Sequence, residues 1–296
     1  MCRSWYPLVL VVLVQLSAAS DPLNQLELTA RWGNPFNAYF PLPLTLREAT
    51  AADGRERWHV AHQDTDLRTS FVSHKNDPRF FIMYDKKGTI AGVTFGFDKS
   101  DVNRVMGLNE DHMYIFPDTM FRSPQDNKPI WTKDLWHYTV LFAHPDQIRT
   151  TGIVDDVINQ LFYYADSKWN SVPLREEDVN FPLRHQGCYN GMGQHYFHNT
   201  DDKTSCSEWQ GAFFTYHRGV LAGFGVAVFG SFLDTYYTQT YYEYPTFDVV
   251  RRMLPNRPRC MDKWLPFTGI TSVHVFLVKQ AAKITCPAID IDILTL

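Results

Sequence analysis

The sequence predicts a mainly β protein, an antiparallel sandwich or barrel-like fold of two duplicated β-rich halves with few short helices. Runs of aromatic and β-branched residues recur along the chain between turn-forming residues, which is typical of strands. One hairpin pattern also occurs twice. Phe80–Tyr84, a charged turn and Gly88–Gly92 resemble Phe213–Tyr216, a turn and Gly219–Gly223, with the glycines 131 residues apart. Together these observations indicate an all-β fold with an internal repeat.

A second pair of similar segments follows the repeated hairpin, in the same order along the chain. Tyr138–Phe142 lies in one strand-like run and Ser272–Phe276 in another, at a similar offset. The alternative is that any two aromatic hairpins share such features without common origin. Helix signals are few, the clearest being Thr45 as an N-cap with Glu48 three residues on.

Residues 1–20 read as a secretory signal peptide. Arg3 supplies a positive start, Tyr6–Leu16 an apolar core, and Ala18–Ser20 small residues for cleavage. The apolar core is too short for a membrane-spanning helix, which needs roughly 20 residues. We therefore predict a secreted, extracellular protein with an N-terminal half (21–165), a linker (166–182) and a C-terminal half (183–296).

The mature chain would hold four cysteines, an even number that favours two disulfides in an oxidising compartment. They all lie in the C-terminal half: Cys188, Cys206, Cys260 and Cys286. Closing short loops favours the pairs Cys188–Cys206 and Cys260–Cys286, although three connectivities are open. A metal–thiolate site is the rival, but no C-x-x-C spacing is present.

Candidate metal ligands are His195, His198 and Met192, because imidazole and thioether groups suit copper or zinc. The two histidines would share a face in a tight turn but would point to opposite faces of a strand. A structural histidine is the simpler reading of each. The two-half, β-rich architecture is similar to that of the copper-dependent peptide and dopamine monooxygenases. The chain lacks their His-x-His motif, so no residue role carries over.

A tyrosine-rich run offers a second candidate site. Alternation along a strand would place Tyr237 and Tyr241 on one face and Tyr244 on the other. Exposed tyrosines suit carbohydrate or protein ligands because they combine apolar area with a hydroxyl group. The alternative is that these side chains pack within the sheet.

These features leave two function classes open. The leading one is a secreted binding or matrix protein without catalytic activity or cofactor, which presents an aromatic surface to a carbohydrate or protein ligand. The alternative is an extracellular copper-dependent metalloenzyme that resembles a monooxygenase, so enzymatic activity stays undecided. The net charge of −4 gives no electrostatic case for a nucleic-acid partner. The apolar segment Gly219–Leu233 is too short for stable membrane insertion.

Overall fold

A computed structural model describes most of the chain: residues 29–31, 39–51, 58–65, 67–74, 77–98, 135–153, 158, 160–232 and 241–287. The expected signal peptide and Tyr237 lie outside these residues. Fourteen strands occur within them, in chain order β1 (Thr29–Arg31), β2 (Tyr39–Pro41), β3 (Trp58–Asp64), β4 (Thr69–His74), β5 (Phe80–Tyr84), β6 (Ile90–Asp98), β7 (Leu135–Leu141), β8 (Leu161–Ala165), β9 (Lys168–Val172), β10 (Leu183–Tyr189), β11 (Gly193–His198), β12 (Ala212–His217), β13 (Val220–Phe229) and β14 (Ile270–Phe276).

The strands form two antiparallel sheets of seven strands each. The first sheet has the order β3-β4-β5-β6-β7-β8-β9, and the second has the order β10-β11-β12-β13-β14-β1-β2. The strands β1 and β2, which come first among the described residues, therefore complete the second sheet, where β1 pairs with β14. The stretch expected to be a linker contains β9, which is the edge strand of the first sheet.

Helices are short and peripheral. Among the described residues they are α1 (Leu46–Ala51), α2 (Pro145–Thr150), α3 (Phe247–Met253) and α4 (Met261–Thr268). Thr45 and Glu48 form the predicted reciprocal capping contacts at the start of α1: the Glu48 amide donates to the Thr45 hydroxyl, and the Glu48 carboxylate accepts from the Thr45 amide. No helix in the described part of the chain is long and apolar enough to cross a bilayer.

The core lies between the two sheets. Phe224 on β13 meets Phe95 and Phe142 from the first sheet, with ring centroids 6.3 and 6.1 Å apart. Tyr163 on β8 packs on Phe214 of β12 at 4.8 Å. These side chains are almost fully buried and belong to one apolar cluster that spans both sheets. The mainly β, sandwich-like fold predicted from the sequence is thus confirmed.

The two sheets are built on the same plan. In each, a tyrosine at the end of a hairpin strand donates its hydroxyl to a proline carbonyl, Tyr84 to Pro43 and Tyr216 to Pro173. The backbone contacts around that hairpin also match in pairs: Leu46 N–Gly88 O with Glu176 N–Gly219 O, Ile90 N–Leu44 O with Leu221 N–Leu174 O, and Phe142 N–Ala91 O with Leu277 N–Ala222 O. The echoed sequence segments therefore occupy equivalent places in the two sheets.

The four cysteines of the C-terminal half form two disulfides, but the pairing expected from short loops is wrong. The bonds join Cys188 to Cys286 and Cys206 to Cys260. Cys188 lies near the β10–β11 turn, whereas Cys206 lies beyond the far end of β11. A six-residue strand spans about 20 Å. The length of β11 therefore keeps Cys188 and Cys206 apart, and each bonds to a cysteine that is more distant in sequence.

Candidate functional site

The predicted metal ligands do not converge. His195 and His198 lie on one strand, β11, and point to opposite faces of the second sheet. His195 packs against Phe213 and His274 on the outer face, while His198 points inward to Tyr163. Met192 is buried in a separate apolar cluster. Within the described residues no group of three metal-ligating side chains is positioned to hold an ion.

The tyrosine run also departs from the expected surface. Tyr241 is fully buried and stacks on Phe80, with ring centroids 5.3 Å apart. The Arg79 guanidinium lies 5.1 Å from the centre of the same ring. Tyr244 remains 44% exposed and donates its hydroxyl to the Phe232 carbonyl. Tyr241 therefore belongs to the core and cannot present its ring to a ligand.

A polar cleft lies instead above the end of β11. Its volume is about 320 Å³, at the small end of the range of known ligand sites. All the side chains that line it can form hydrogen bonds: His198, Asn199, Asp201, Lys203, Thr204, Ser205, Glu208 and Gln210. Most come from the loop 199–211 between β11 and β12, which we call the cleft loop.

The cleft loop is held in place at several points. The Cys206–Cys260 disulfide ties it to the start of α4, and Asp202 pairs with Arg259 next to that bond. Trp209 is fully buried and donates its indole N–H to the Thr200 hydroxyl at 3.0 Å. The loop thus presents polar groups to the cleft, while the disulfide and Trp209 anchor it to the interior and the Asp202–Arg259 pair anchors it at the surface.

Inside the loop, Asp201 organises a tight turn. Its carboxylate accepts from the Lys203 amide at 2.9 Å, and its own amide donates to the Thr204 hydroxyl at 3.0 Å. The hydrogen bond from the Lys203 amide holds the pKa of the Asp201 carboxyl below its usual range. Asp201 is therefore an ionised group at the cleft wall at neutral pH.

His198 lies at the floor of the cleft, where its own side chain is fully buried, and it joins the cleft to the first sheet. Its Nε2 lies 3.1 Å from the Asp166 carboxylate, and its Nδ1 lies 3.0 Å from the Tyr163 hydroxyl. Because a carboxylate only accepts hydrogen bonds, Nε2 carries the proton and Nδ1 accepts from Tyr163. Gln210, which belongs to the cleft loop, donates to the other oxygen of Asp166 at 2.9 Å. This hydrogen bond connects the loop to the Asp166–His198–Tyr163 network. We call Asp166, His198 and Tyr163 the floor triad.

The local sequence explains how the triad forms. Asp166 and Ser167 both adopt positive φ, 51° and 60°, as in a two-residue hairpin turn between β8 and β9. This turn brings the Asp166 carboxylate over the second sheet. Tyr163, three residues earlier on β8, faces inward to the same histidine.

Burial controls the protonation of the triad. Loss of hydration lowers the pKa of His198, and the nearby Asp166 carboxylate only partly opposes that effect. Burial, with a smaller contribution from Asp166, raises the pKa of Tyr163 well above its ordinary value. Both groups are therefore neutral at neutral pH. The Tyr163 hydroxyl is shielded in the core, so the triad resembles a catalytic relay in its order of groups but lacks an accessible nucleophile.

A second buried polar group lies on the outer face of the second sheet. His274 Nδ1 is 3.2 Å from the Glu243 carboxylate, close enough for an ion pair but not aligned as a hydrogen bond. The ring of His195 lies beside that of His274, with centroids 6.4 Å apart and perpendicular planes. Phe213 contacts both rings, so this cluster is packed as part of a core.

Sequence reasoning missed most of the cleft. It identified His198, but as a metal ligand, and it singled out no other residue of the cleft lining. The available signal was a difference in loop length: five residues separate His74 from Phe80 in the first sheet, whereas thirteen separate His198 from Ala212 at the equivalent place in the second.

Comparison with known protein families, with curated proteins and with solved structures finds no match for this chain.

Proposed function

We propose that this chain is a secreted, non-catalytic binding protein that holds a small carbohydrate in the cleft above His198. The single observation that carries the proposal is the cleft lining, in which all side chains are polar and all but the buried His198 can offer a hydrogen bond to a ligand. A saccharide carries hydroxyl groups that point in many directions and can form hydrogen bonds with these polar side chains. An apolar ligand would strip water from them without replacing its hydrogen bonds.

Preorganisation supports a binding role. The disulfide, the buried Trp209 and the floor triad fix the cleft loop before a ligand arrives. Affinity gains when groups that contact a ligand are already ordered, because less conformational entropy is lost on binding. The same contacts leave no accessible nucleophile in the triad, which favours binding over catalysis.

Secretion and duplication are parts of the same proposal. Two disulfides suit an oxidising compartment, in agreement with the signal-like residues 1–20. The matched contacts around the two hairpins support descent from one duplicated unit. On this view the cleft loop is an insertion in the second copy only, and it gives one half a ligand site on an otherwise repeated scaffold.

A glycan array of defined oligosaccharides, probed with the purified mature chain, tests the proposal. We expect binding of a restricted set of short glycans, confirmed by titration calorimetry. The variants Lys203→Ala and Glu208→Gln should weaken binding about tenfold or more, since hydrogen bonds to charged groups contribute about 1.5–3 kcal/mol. The exposed controls Lys283→Ala and Glu177→Gln, which do not line the cleft, should bind like the wild type. Failure to bind any glycan, or equal loss in controls and cleft variants, would refute the proposal.

A further inference from the structure

Counted by strand order, the chain divides into two equivalent halves, β1–β7 and β8–β14, and the first hairpin of each half lies at the edge of the other half's sheet. The hairpin β8–β9 follows β7 in the chain and pairs with it in the first sheet. At the equivalent edge of the second sheet, β14 pairs with β1, and β1 pairs with β2. Val140 opposite Tyr163 corresponds to Val275 opposite Ala30. The two halves have therefore exchanged their first two strands.

The exchanged hairpin β1–β2 is attached to its own half through a short connection. Directly after β2, the Pro43 carbonyl accepts from Tyr84 and the Leu44 carbonyl accepts from Ile90. These contacts hold the connection on the β5–β6 hairpin of the first sheet. The hairpin β1–β2 thus leaves the first sheet at Leu42 and reaches across to β14.

The contacts between β1–β2 and the second sheet do not require that both belong to the same molecule. Residues 29–31 are in antiparallel register with 274–276, and Tyr39 donates its hydroxyl to the Gly191 carbonyl at 3.0 Å. A hairpin from a second molecule could form every one of these contacts unchanged. Strand exchange of this kind is a low-cost route to dimers because no new interface has to be made.

We propose that a second copy of this chain can supply β1–β2 to β14, which produces a closed, twofold-symmetric, strand-exchanged dimer. The surface involved is the β14 edge, and the partner segments are the strands β1 and β2. This inference is independent of the carbohydrate cleft. In the monomer the chain's own hairpin occupies the edge at an effective concentration on the order of 1 mM, the value for a short tether. Exchange between chains therefore requires unfolding and refolding at a comparable protein concentration.

The test starts with the unmodified mature chain, unfolded in urea with its disulfides intact and refolded at roughly 1 μM and at roughly 1 mM, the latter matching the effective concentration. Light scattering after size exclusion should show monomer from the dilute sample. From the concentrated sample we expect at least a tenfold larger fraction of dimer, which persists on dilution because its release requires the strands to separate. Monomer alone at both concentrations would overturn the proposal without any substitution.

Engineered cysteine pairs then identify the exchanged strand. Ala30→Cys with Val275→Cys should link two chains in the dimer fraction and one chain in the monomer fraction, because these residues are paired across β1 and β14. The matched control is Leu141→Cys with Phe162→Cys, the corresponding edge of the first sheet, where β8 follows β7 in the same chain. The control should link within one chain in both fractions. A dimer in which the first pair also links within one chain contradicts the proposal.

Discussion

Replacement of Tyr163 by phenylalanine tests the floor triad most sharply. The substitution removes only the hydroxyl that donates to His198 Nδ1 at 3.0 Å. The ring contact with Phe214 at 4.8 Å stays in place. Because His198 Nε2 is committed to Asp166, the histidine cannot exchange its tautomer without losing that second hydrogen bond.

The magnitude follows from burial. Tyr163 and His198 have no exposed surface, so water cannot replace the missing donor. A buried acceptor left without its partner costs about 1–3 kcal/mol. We therefore expect Tyr163→Phe to lower the free energy of unfolding by about 2 kcal/mol, the middle of that range.

Urea unfolding at pH 7.5 measures this change as a shift of the midpoint at constant slope. Tyr164→Phe is the matched control, because Tyr164 is the next residue on β8, lies on the opposite face and packs edge-on against the half-buried Trp169. The control should change stability by less than about 0.5 kcal/mol. If the two variants were equally stable, the assignment of donor and acceptor in the triad would be refuted.

Three further predictions concern stability. Because folding lowers the pKa of His198, the imidazole is protonated in the unfolded chain at pH values at which it is still neutral in the folded chain. Stability should therefore fall as pH drops below about 6.5, by about 1.4 kcal/mol for each unit between the folded and unfolded pKa, and His198→Gln should flatten this slope in pH-dependent urea unfolding. Replacing Cys206 and Cys260 together by alanine opens a loop with a sequence separation of 54 and should cost about 4 kcal/mol by calorimetry; a loss under about 1 kcal/mol would show that the loop is ordered without the bond. Gly225→Ala should cost about 3 kcal/mol, because its Cβ would lie 2.1 Å from the Val273 carbonyl oxygen. Gly219→Ala meets open space and should cost only the strain of its φ of +79°, about 1–2 kcal/mol, and the reverse order would contradict the packing described for β13.

The fold was largely predictable because its signals are local. Aromatic and β-branched runs around the turns at Gly88 and Gly219 define two hairpins by composition alone, and both are present. The pairing of β1 with β14 was not predictable, because strands so distant in sequence meet only through the tertiary arrangement. The disulfide pairing failed for the same reason, since the length of β11 separates Cys188 from Cys206.

The candidate site was less accessible to sequence reasoning. The prediction that His195 and His198 would point to opposite faces if they lay in a strand is correct. The two side chains therefore cannot bind the same metal ion, and the described residues contain no group of three metal-ligating side chains. His198 gains its role from Asp166 and Tyr163, which are 32 and 35 residues away in the chain. Tyr241 lies outside the strands and is buried by Phe80 of β5, a tertiary contact that strand alternation could not reveal.

Hydrogen–deuterium exchange of residues 21–296, with and without a glycan selected on the array, tests the central claim most directly. We predict slower exchange in the cleft loop, residues 199–211, and no change at 241–244. The saccharide would replace water at the loop and restrict its opening. Protection confined to 241–244, or a bound glycan that leaves residues 199–211 unprotected, would contradict the assignment of the cleft as the ligand site.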